Sequence, residues 1–305
     1  MKEKVKKILS ALVYVGIYIA IQLLCYLFAF LVYAEVSEEV YFEAMPFVLL
    51  VSSIGALVAC LCIFIVKKEN VLSNLALDRF NPWGIIPGIL VGPALAAVAV
   101  YMKCVISFPV EWMWSYDDYE FMPMMENMTI LGIIFVLVIR PVAEEIIFRG
   151  LTYAKLRTSL SVVWAVLVSA LLNGLMAGNP FGFIEAFLFA VIAALLFEWT
   201  KSVWVTLIFH VSYSLLDHNF DMYTKGLEGS HILWFIISLL VVVITATVLA
   251  TFACTREDEW RQEISKSKEV KKTVSSPKKT VGQSVVSQKN INHGVVVEDT
   301  LNLDD

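Results

Sequence analysis

Residues 141–150 read Pro-Val-Ala-Glu-Glu-Ile-Ile-Phe-Arg-Gly and follow an apolar run from Met128 to Ile139. Two carboxylates and a guanidinium therefore fall at or inside a helix that is hydrophobic enough to span a membrane. Each ionisable side chain at membrane depth costs roughly 2.5–3.5 kcal/mol on insertion scales, so these three need partners or a task. On a helix, Glu145 and Arg149 share a face and are predicted to pair. Glu144 is rotated by about 100° and is left for another role.

The composition of the whole chain is that of a membrane protein. Of the 305 residues, 59% are hydrophobic and 17% are charged, and the mean hydropathy is +0.75. Soluble domains have about 45–50% apolar and about 25% charged residues. The five cysteines all lie in apolar runs, which predicts reduced thiols and no disulfide framework. The basic residues are too few and too segregated for nucleic-acid binding.

Eight apolar segments predict an all-α, polytopic membrane helical bundle, because about 20 apolar residues suffice to cross a bilayer. Residues 1–127 would hold three spans, 128–219 a core with the polar motifs, and 220–255 the last span. Residues 256–305 are polar and predict a disordered cytoplasmic tail. In the third span, glycines and prolines predict close helix contact or a kink. The predicted spans are 8–34, 45–66, 84–108, 128 to the motif, 161–177, 181–199, 203–216 and 232–253.

The distribution of lysine and arginine predicts the orientation. Basic residues concentrate at the N-terminus and in the loops after spans two, four and six, whereas the opposite loops hold essentially Lys225. The positive-inside rule then places both termini in the cytoplasm. The expected partners are membrane lipid and a membrane-associated peptide or protein.

Three further polar positions lie inside later spans: Asn173, His210 and Ser214. In a functional interpretation, Glu144 is a general base that activates water, and His210 or Asn173 stabilises the oxyanion. In a structural interpretation, the histidine is a hydrogen-bonded core residue, and Asn173 and Ser214 join helices. Spacing alone leaves both interpretations open. In the functional case, spans four, five and seven would enclose a polar cavity that faces the cytoplasm.

Metal ligands are scarce in this sequence. A catalytic zinc ion needs three protein ligands, but the spans offer one histidine and one or two glutamates. His218 lies two turns beyond His210, and His231 and His293 fall outside the spans. The sequence therefore identifies no particular cofactor, and zinc remains an alternative without a convincing ligand set.

The stretch Glu144-Glu145-Ile-Ile-Phe-Arg149-Gly150 resembles the first motif, Glu-Glu-x-x-x-Arg, of the CPBP (Abi) family. This family includes type II CAAX prenyl endopeptidases and bacterial bacteriocin-processing or self-immunity proteins. Its second and third motifs are Phe-x-x-x-His and His-x-x-x-Asn. Here His210 matches the third motif but Ser214 stands in place of asparagine. The second motif is lost, because Asn173 and Ala177 stand in place of phenylalanine and histidine.

The resemblance covers about residues 128–219 and implies an intramembrane endopeptidase in a bacterial cell membrane. Carried over, Glu144 is the base, Arg149 holds Glu145, and His210 supports the reaction. Ala177 supplies neither a metal ligand nor a hydrogen-bond donor, and Asn173 is one turn earlier on the same face. The alternative is a catalytically impaired relative that acts as a membrane regulator, immunity protein or partner-binding protein. The intact first motif favours the enzyme, and the missing histidine favours the alternative.

Overall fold

The computed structural model describes residues 2–33, 38–66, 75–78, 80–105, 130–177, 180–217 and 231–255. These residues form eight helices and no strand, so the predicted all-α bundle is confirmed for the described ranges. We number the helices α1 to α8 in chain order. Their bounds are α1 Lys2–Tyr33, α2 Glu38–Val66, α3 Ile85–Val105, α4 130–157, α5 Val162–Gly174, α6 Pro180–Thr200, α7 Val203–Asp217 and α8 His231–Thr255.

Four of the helices are long and apolar enough to cross a membrane, over Lys4–Val32, Pro82–Met102, Pro180–Thr200 and Ile232–Thr255. Their exposed surfaces carry large hydrophobic side chains, for example Leu24 and Phe28 on α1. Such a surface suits contact with lipid chains. The protein is therefore an integral membrane protein. The orientation of its termini remains a prediction, and so does the predicted division into segments. The predicted tail, 256–305, lies outside the described residues.

The predicted spans overlap the helices, but α1 and α2 begin six and seven residues before the predicted starts, and α4 extends past its predicted end. The sequence placed the end of the fourth span at the motif, but the helix continues to Arg157. The motif therefore lies in the middle of a helix rather than at its end. All nine residues from Glu145 to Tyr153 are buried, so neighbouring helices surround this part of α4 on every side.

Helix α4 alternates between α-helical and π-helical turns. The π-helical parts are Phe135–Ile139 and Glu145–Tyr153, separated by the α-helical Arg140–Glu144. Pro141 provides one physical reason, because it has no N–H and interrupts the regular hydrogen-bond ladder. The N–H of Arg140 accordingly donates to the carbonyl of Phe135, five residues earlier. Such wide turns are rare and occur frequently at functional sites.

Helices α3 and α7 approach each other most closely, through glycines on one face of α3. A Cβ atom added at Gly88 would lie 3.3 Å from the carbonyl oxygen of Val205, and one at Gly92 would collide with Ser212. The hydroxyl of Ser212 donates to the carbonyl of Gly88 at 3.1 Å. Small residues allow this backbone contact in membrane helices. The close contact predicted for the third span is therefore confirmed at these glycines.

Candidate active site

The second glutamate of the motif forms a buried ion pair. Oε1 of Glu145 lies 3.1 Å from a terminal nitrogen of Arg149, and both side chains are fully buried. The guanidinium also lies over the ring of Phe189, 5.3 Å from its centroid, which adds a cation–π contact. The i, i+4 spacing predicted that Glu145 and Arg149 pair on an α-helix. The two groups also meet here, where the π-helical part of α4 begins.

His210 lies between the two glutamates. Its Nδ1 is 2.9 Å from Oε1 of Glu145, and its Nε2 is 3.9 Å from Oε2 of Glu144. The ring packs edge-on against Phe189, with 4.6 Å between the centroids. Because the Glu145 carboxylate accepts a hydrogen bond from Nδ1, the proton of the neutral ring lies on Nδ1. Nε2 then faces the Glu144 carboxylate. The His210 imidazole of α7 therefore faces both Glu144 and Glu145 of α4.

Glu144 pairs with a residue on the preceding turn. Nε of Arg140 donates to Oε1 of Glu144 at 2.8 Å, and the Tyr18 hydroxyl donates to the same oxygen at 3.3 Å. The Glu144 side chain is 13% exposed and that of Arg140 is 40% exposed. Within the described part of the chain, the other oxygen of Glu144 has no hydrogen-bond donor. Glu144 is therefore anchored through one oxygen and presents the other to His210.

The charges in this cluster balance. The carboxylates of Glu144 and Glu145 face the guanidinium groups of Arg140 and Arg149, so the net charge is zero when His210 is neutral. Balance matters because an unpaired buried charge carries a large desolvation cost. Oε2 of Glu145 and the guanidinium nitrogens of Arg149 have no well-formed hydrogen bond within the described ranges. The Glu145–Arg149 contact is thus an ion pair whose hydrogen-bonding capacity is not fully used within the described ranges.

The structure does not bring every predicted site residue into this cluster. Asn173 is buried near the end of α5, and no hydrogen bond joins its side chain to either glutamate or to His210 among the described residues. Ala177 is half-buried in the short 3₁₀ turn that follows α5. Ser214 is buried on α7, one turn after His210. The described contacts of the cluster come from α1, α4, α6 and α7, and the contribution predicted for the fifth span stays a prediction.

Three contributors were not predicted from the sequence. The Arg140–Glu144 pair has the same i, i+4 spacing as Glu145–Arg149, so the same rule could have found it. Tyr18 and Phe189 come from α1 and α6, and no local pattern marks a contact between distant helices. Their contribution required the packing of the whole bundle.

A second buried polar cluster joins the ends of α4 and α6. Both oxygens of Glu198 accept from Arg157, at 3.0 and 3.1 Å, and Tyr153 donates to Oε2 at 2.9 Å. Nζ of Lys201 lies 2.8 Å from Oε1. Glu198 is an ionisable residue inside an apolar run, and this pattern is the sequence signal for such a cluster. Four donors satisfy this carboxylate, so the cluster is structural.

The donor set does not fit a catalytic metal ion. Nδ1 of His210 is bound to Glu145, and each carboxylate already faces a guanidinium group. Only Nε2 of His210 and Oε2 of Glu144 point at a common space, which is one ligand short of the usual three. No group of three or more histidine, cysteine or acidic residues within the described ranges could hold a metal.

The described residues thus place two adjacent glutamates, an arginine and a histidine in one buried cluster of an all-helical membrane protein. Residues 126–216 match the family model described as type II CAAX prenyl endopeptidase Rce1-like. The resemblance to CPBP-type proteins is confirmed over this segment, which is less than a third of the chain. No curated protein and no solved structure matches the sequence.

Proposed function

We propose that this protein is an intramembrane peptidase of the CAAX-endopeptidase type, which hydrolyses peptide bonds of membrane-associated substrates with Glu144 as the general base. The observation that carries the proposal is the 3.9 Å separation between Oε2 of Glu144 and Nε2 of His210. The two atoms do not contact each other directly at this distance. The separation is short enough for one water molecule to lie within about 2.8 Å of both.

Attack begins at this water. Its oxygen forms a bond to the carbonyl carbon of the peptide while Glu144 takes a proton on Oε2. Arg140 and Tyr18 already donate hydrogen bonds to Oε1. Only Oε2 is therefore available to bind the water and to accept its proton. The carbon–nitrogen bond of the tetrahedral intermediate then breaks, and Glu144 passes the proton to the leaving amine nitrogen. The carboxylate is regenerated with no net change.

His210 is the partner of this base. Glu145 accepts the proton of Nδ1 and holds the ring, and Arg149 balances the charge of Glu145. When Nε2 also carries a proton, its N–H is a donor for the developing oxyanion, which is the role predicted from the sequence. The guanidinium of Arg149 has further donors within the same buried cluster.

The test uses purified protein in proteoliposomes and a library of membrane-associated peptides. Cleavage is expected in the wild type and should fall by about 10²–10⁴-fold in Glu144→Gln, because an amide cannot accept the proton of water. Glu185→Gln is the matched control, since Glu185 lies on α6 and accepts a hydrogen bond from Tyr213 instead of joining the cluster. The control is expected to cleave at the wild-type rate. Equal cleavage by wild type and Glu144→Gln would reject Glu144 as the base.

One observation favours a second candidate function. Ala177 stands where the related peptidases have a histidine, and the Asn173 side chain is not hydrogen-bonded to the cluster. Loss of one oxyanion donor costs about 10²–10³ in rate elsewhere. The second candidate is a membrane regulator, immunity or partner-binding protein that uses the same fold without cleavage. It predicts no cleavage by the wild type and an unchanged cellular phenotype in Glu144→Gln.

A further inference from the structure

The first helix reaches the carboxylate that we propose as the base. Tyr18 lies in α1, far outside the family match at residues 126–216, and its side chain is almost completely buried. Its hydroxyl donates to Oε1 of Glu144 at 3.3 Å. The edge of its ring meets Phe148 of the motif, with centroids 5.8 Å apart and planes at 81°. The contact is therefore made both by the phenol ring and by its hydroxyl.

A second tyrosine fixes the same face of α1 against α4. Tyr14 lies one turn before Tyr18, and Nζ of Lys155 sits 5.0 Å from the centroid of its ring. The Lys155 ammonium also donates to the Tyr14 hydroxyl at 3.5 Å. On the other side, the thiol of Cys60 in α2 reaches the backbone carbonyl of Tyr14 at 3.9 Å. The Lys155 contact with the Tyr14 ring and the Cys60 contact with its backbone carbonyl therefore hold α1 beside α4, and neither contact needs the Tyr14 hydroxyl.

Arg140 and Tyr18 both donate to Oε1 of Glu144, and neither donates to Oε2. Arg140 is on α4 itself, whereas Tyr18 comes from a different helix, so together they restrain the carboxylate from two directions. The terminal torsion of glutamate is otherwise broad, and a carboxylate held by one partner could exchange its two oxygens. Reactive groups depend on such supporting contacts for their orientation.

We propose that Tyr18, together with Arg140, is a positioning residue for Glu144: the pair holds Oε1 so that Oε2 faces Nε2 of His210. This inference rests on the proposed function for its kinetic consequence but not for its geometry. A purely structural role for Tyr18 would need only the ring against Phe148. The hydroxyl is buried, and a buried hydroxyl requires a partner. The partner that the structure gives it is Glu144.

The kinetic test compares two tyrosines on the same face of α1. Tyr18→Phe keeps the ring and removes only the hydroxyl, so kcat is expected to fall about 10-fold with KM unchanged. Tyr14→Phe is the matched control, because it removes a phenol hydroxyl that faces Lys155 and is expected to leave kcat unchanged. An equal fall in both variants would overturn the proposal, since it would report loosening of α1 in general.

A second measurement does not depend on peptidase activity. A hydrophobic carbodiimide adds to protonated carboxyl groups, and mass spectrometry of the digested protein locates the adduct. At fixed neutral pH, the rate of adduct formation at Glu144 is expected to rise at least about 3-fold in Tyr18→Phe, because the carboxylate loses a donor that favours its ionised form. Glu185 in the same sample is the internal reference, and its rate should stay constant.

The two measurements separate failure of this inference from failure of the proposed function. Faster labelling of Glu144 in Tyr18→Phe, with no peptidase activity in the wild type, supports the positioning and rejects the enzyme. Unchanged labelling in a folded Tyr18→Phe protein overturns the positioning.

If Tyr18→Phe does not fold, the same labelling is measured in Arg140→Gln. A faster labelling rate at Glu144, with the wild-type rate restored in Arg140→Lys, supports the inference, and an unchanged rate in Arg140→Gln overturns it.

Discussion

Nδ1 of His210 lies 2.9 Å from Oε1 of Glu145, so the second glutamate of the motif holds the histidine. The adjacent glutamates therefore have different surroundings although they are neighbours in sequence. Glu145 is fully buried among Arg149, His210 and Phe189, whereas Glu144 is partly exposed and has one oxygen that no described residue donates to. This difference is the reason that we propose Glu145 as the supporting residue and Glu144 as the base.

The buried pair is expected to be sensitive to loss of one partner. Glu145→Gln leaves the fully buried Arg149 uncompensated, and breaking such a pair costs about 3–5 kcal/mol. Thermal unfolding in detergent should show a clearly lower midpoint for this variant. The double variant Glu145→Met, Arg149→Met removes both charges and is expected to recover most of the loss. Recovery would be absent if the two residues did not form a pair.

The glycine contact between α3 and α7 gives a prediction with an internal control. Gly92→Ala adds a Cβ that would lie 2.7 Å from the carbonyl oxygen of Phe209, so the helices must separate. Overpacking of this kind costs about 1–3 kcal/mol. Gly16→Ala is the control, because a Cβ there meets no atom within 4 Å. It should leave the unfolding midpoint unchanged or raise it, and equal loss of stability in both variants would contradict the contact.

The second cluster is expected to respond unequally to two substitutions. Glu198→Gln removes the carboxylate that faces the buried Arg157, and a loss of about 3–5 kcal/mol in stability is expected. Lys201→Gln removes a partner whose side chain is 23% exposed, and the loss should be about 1 kcal/mol or less. Chemical unfolding in mixed micelles measures both. A larger effect at Lys201 would show that Arg157 is not the main partner.

Restoring the missing histidine tests the second candidate function. If the protein cleaves slowly because it lacks one donor, Ala177→His should raise the cleavage rate by about 10²-fold. The change is measured with the peptide library used for Glu144→Gln. Ala177→Gln, which offers a donor without an imidazole, is the comparison. A wild type that cleaves rapidly, with no gain from Ala177→His, would show that this position is not needed.

The mismatch of the donor set with a metal ion also makes a measurable prediction. Chelator treatment of the purified protein should leave cleavage and thermal stability unchanged, and elemental analysis should find no stoichiometric zinc. The variant His210→Ala provides the comparison for any residual metal. Stoichiometric zinc in the wild type that disappears in His210→Ala would contradict our description of the cluster.

Much of this architecture can be predicted from the sequence, because long apolar segments indicate membrane helices directly. The Glu145–Arg149 contact is also readable, since it depends only on spacing along one helix. The sequence does not predict which other residues join the cluster. Tyr18 is 126 positions away from Glu144 in the sequence, and only the docking of α1 brings them together. The end of α4 was missed for a related reason: charged residues resembled a helix terminus, but buried partners neutralise them.

The contact of Gly92 with the backbone of Phe209 also bears on how a client peptide gains entry. At Gly88 and Gly92 the described parts of α3 and α7 meet backbone to backbone, so sliding of one helix along the other would break that fit. His210 directly follows Phe209, so its backbone lies next to this contact. Under the proposed function, we therefore expect a client peptide to enter on another side of the bundle, where whole side chains fill the gap between helices and can rotate out of the way.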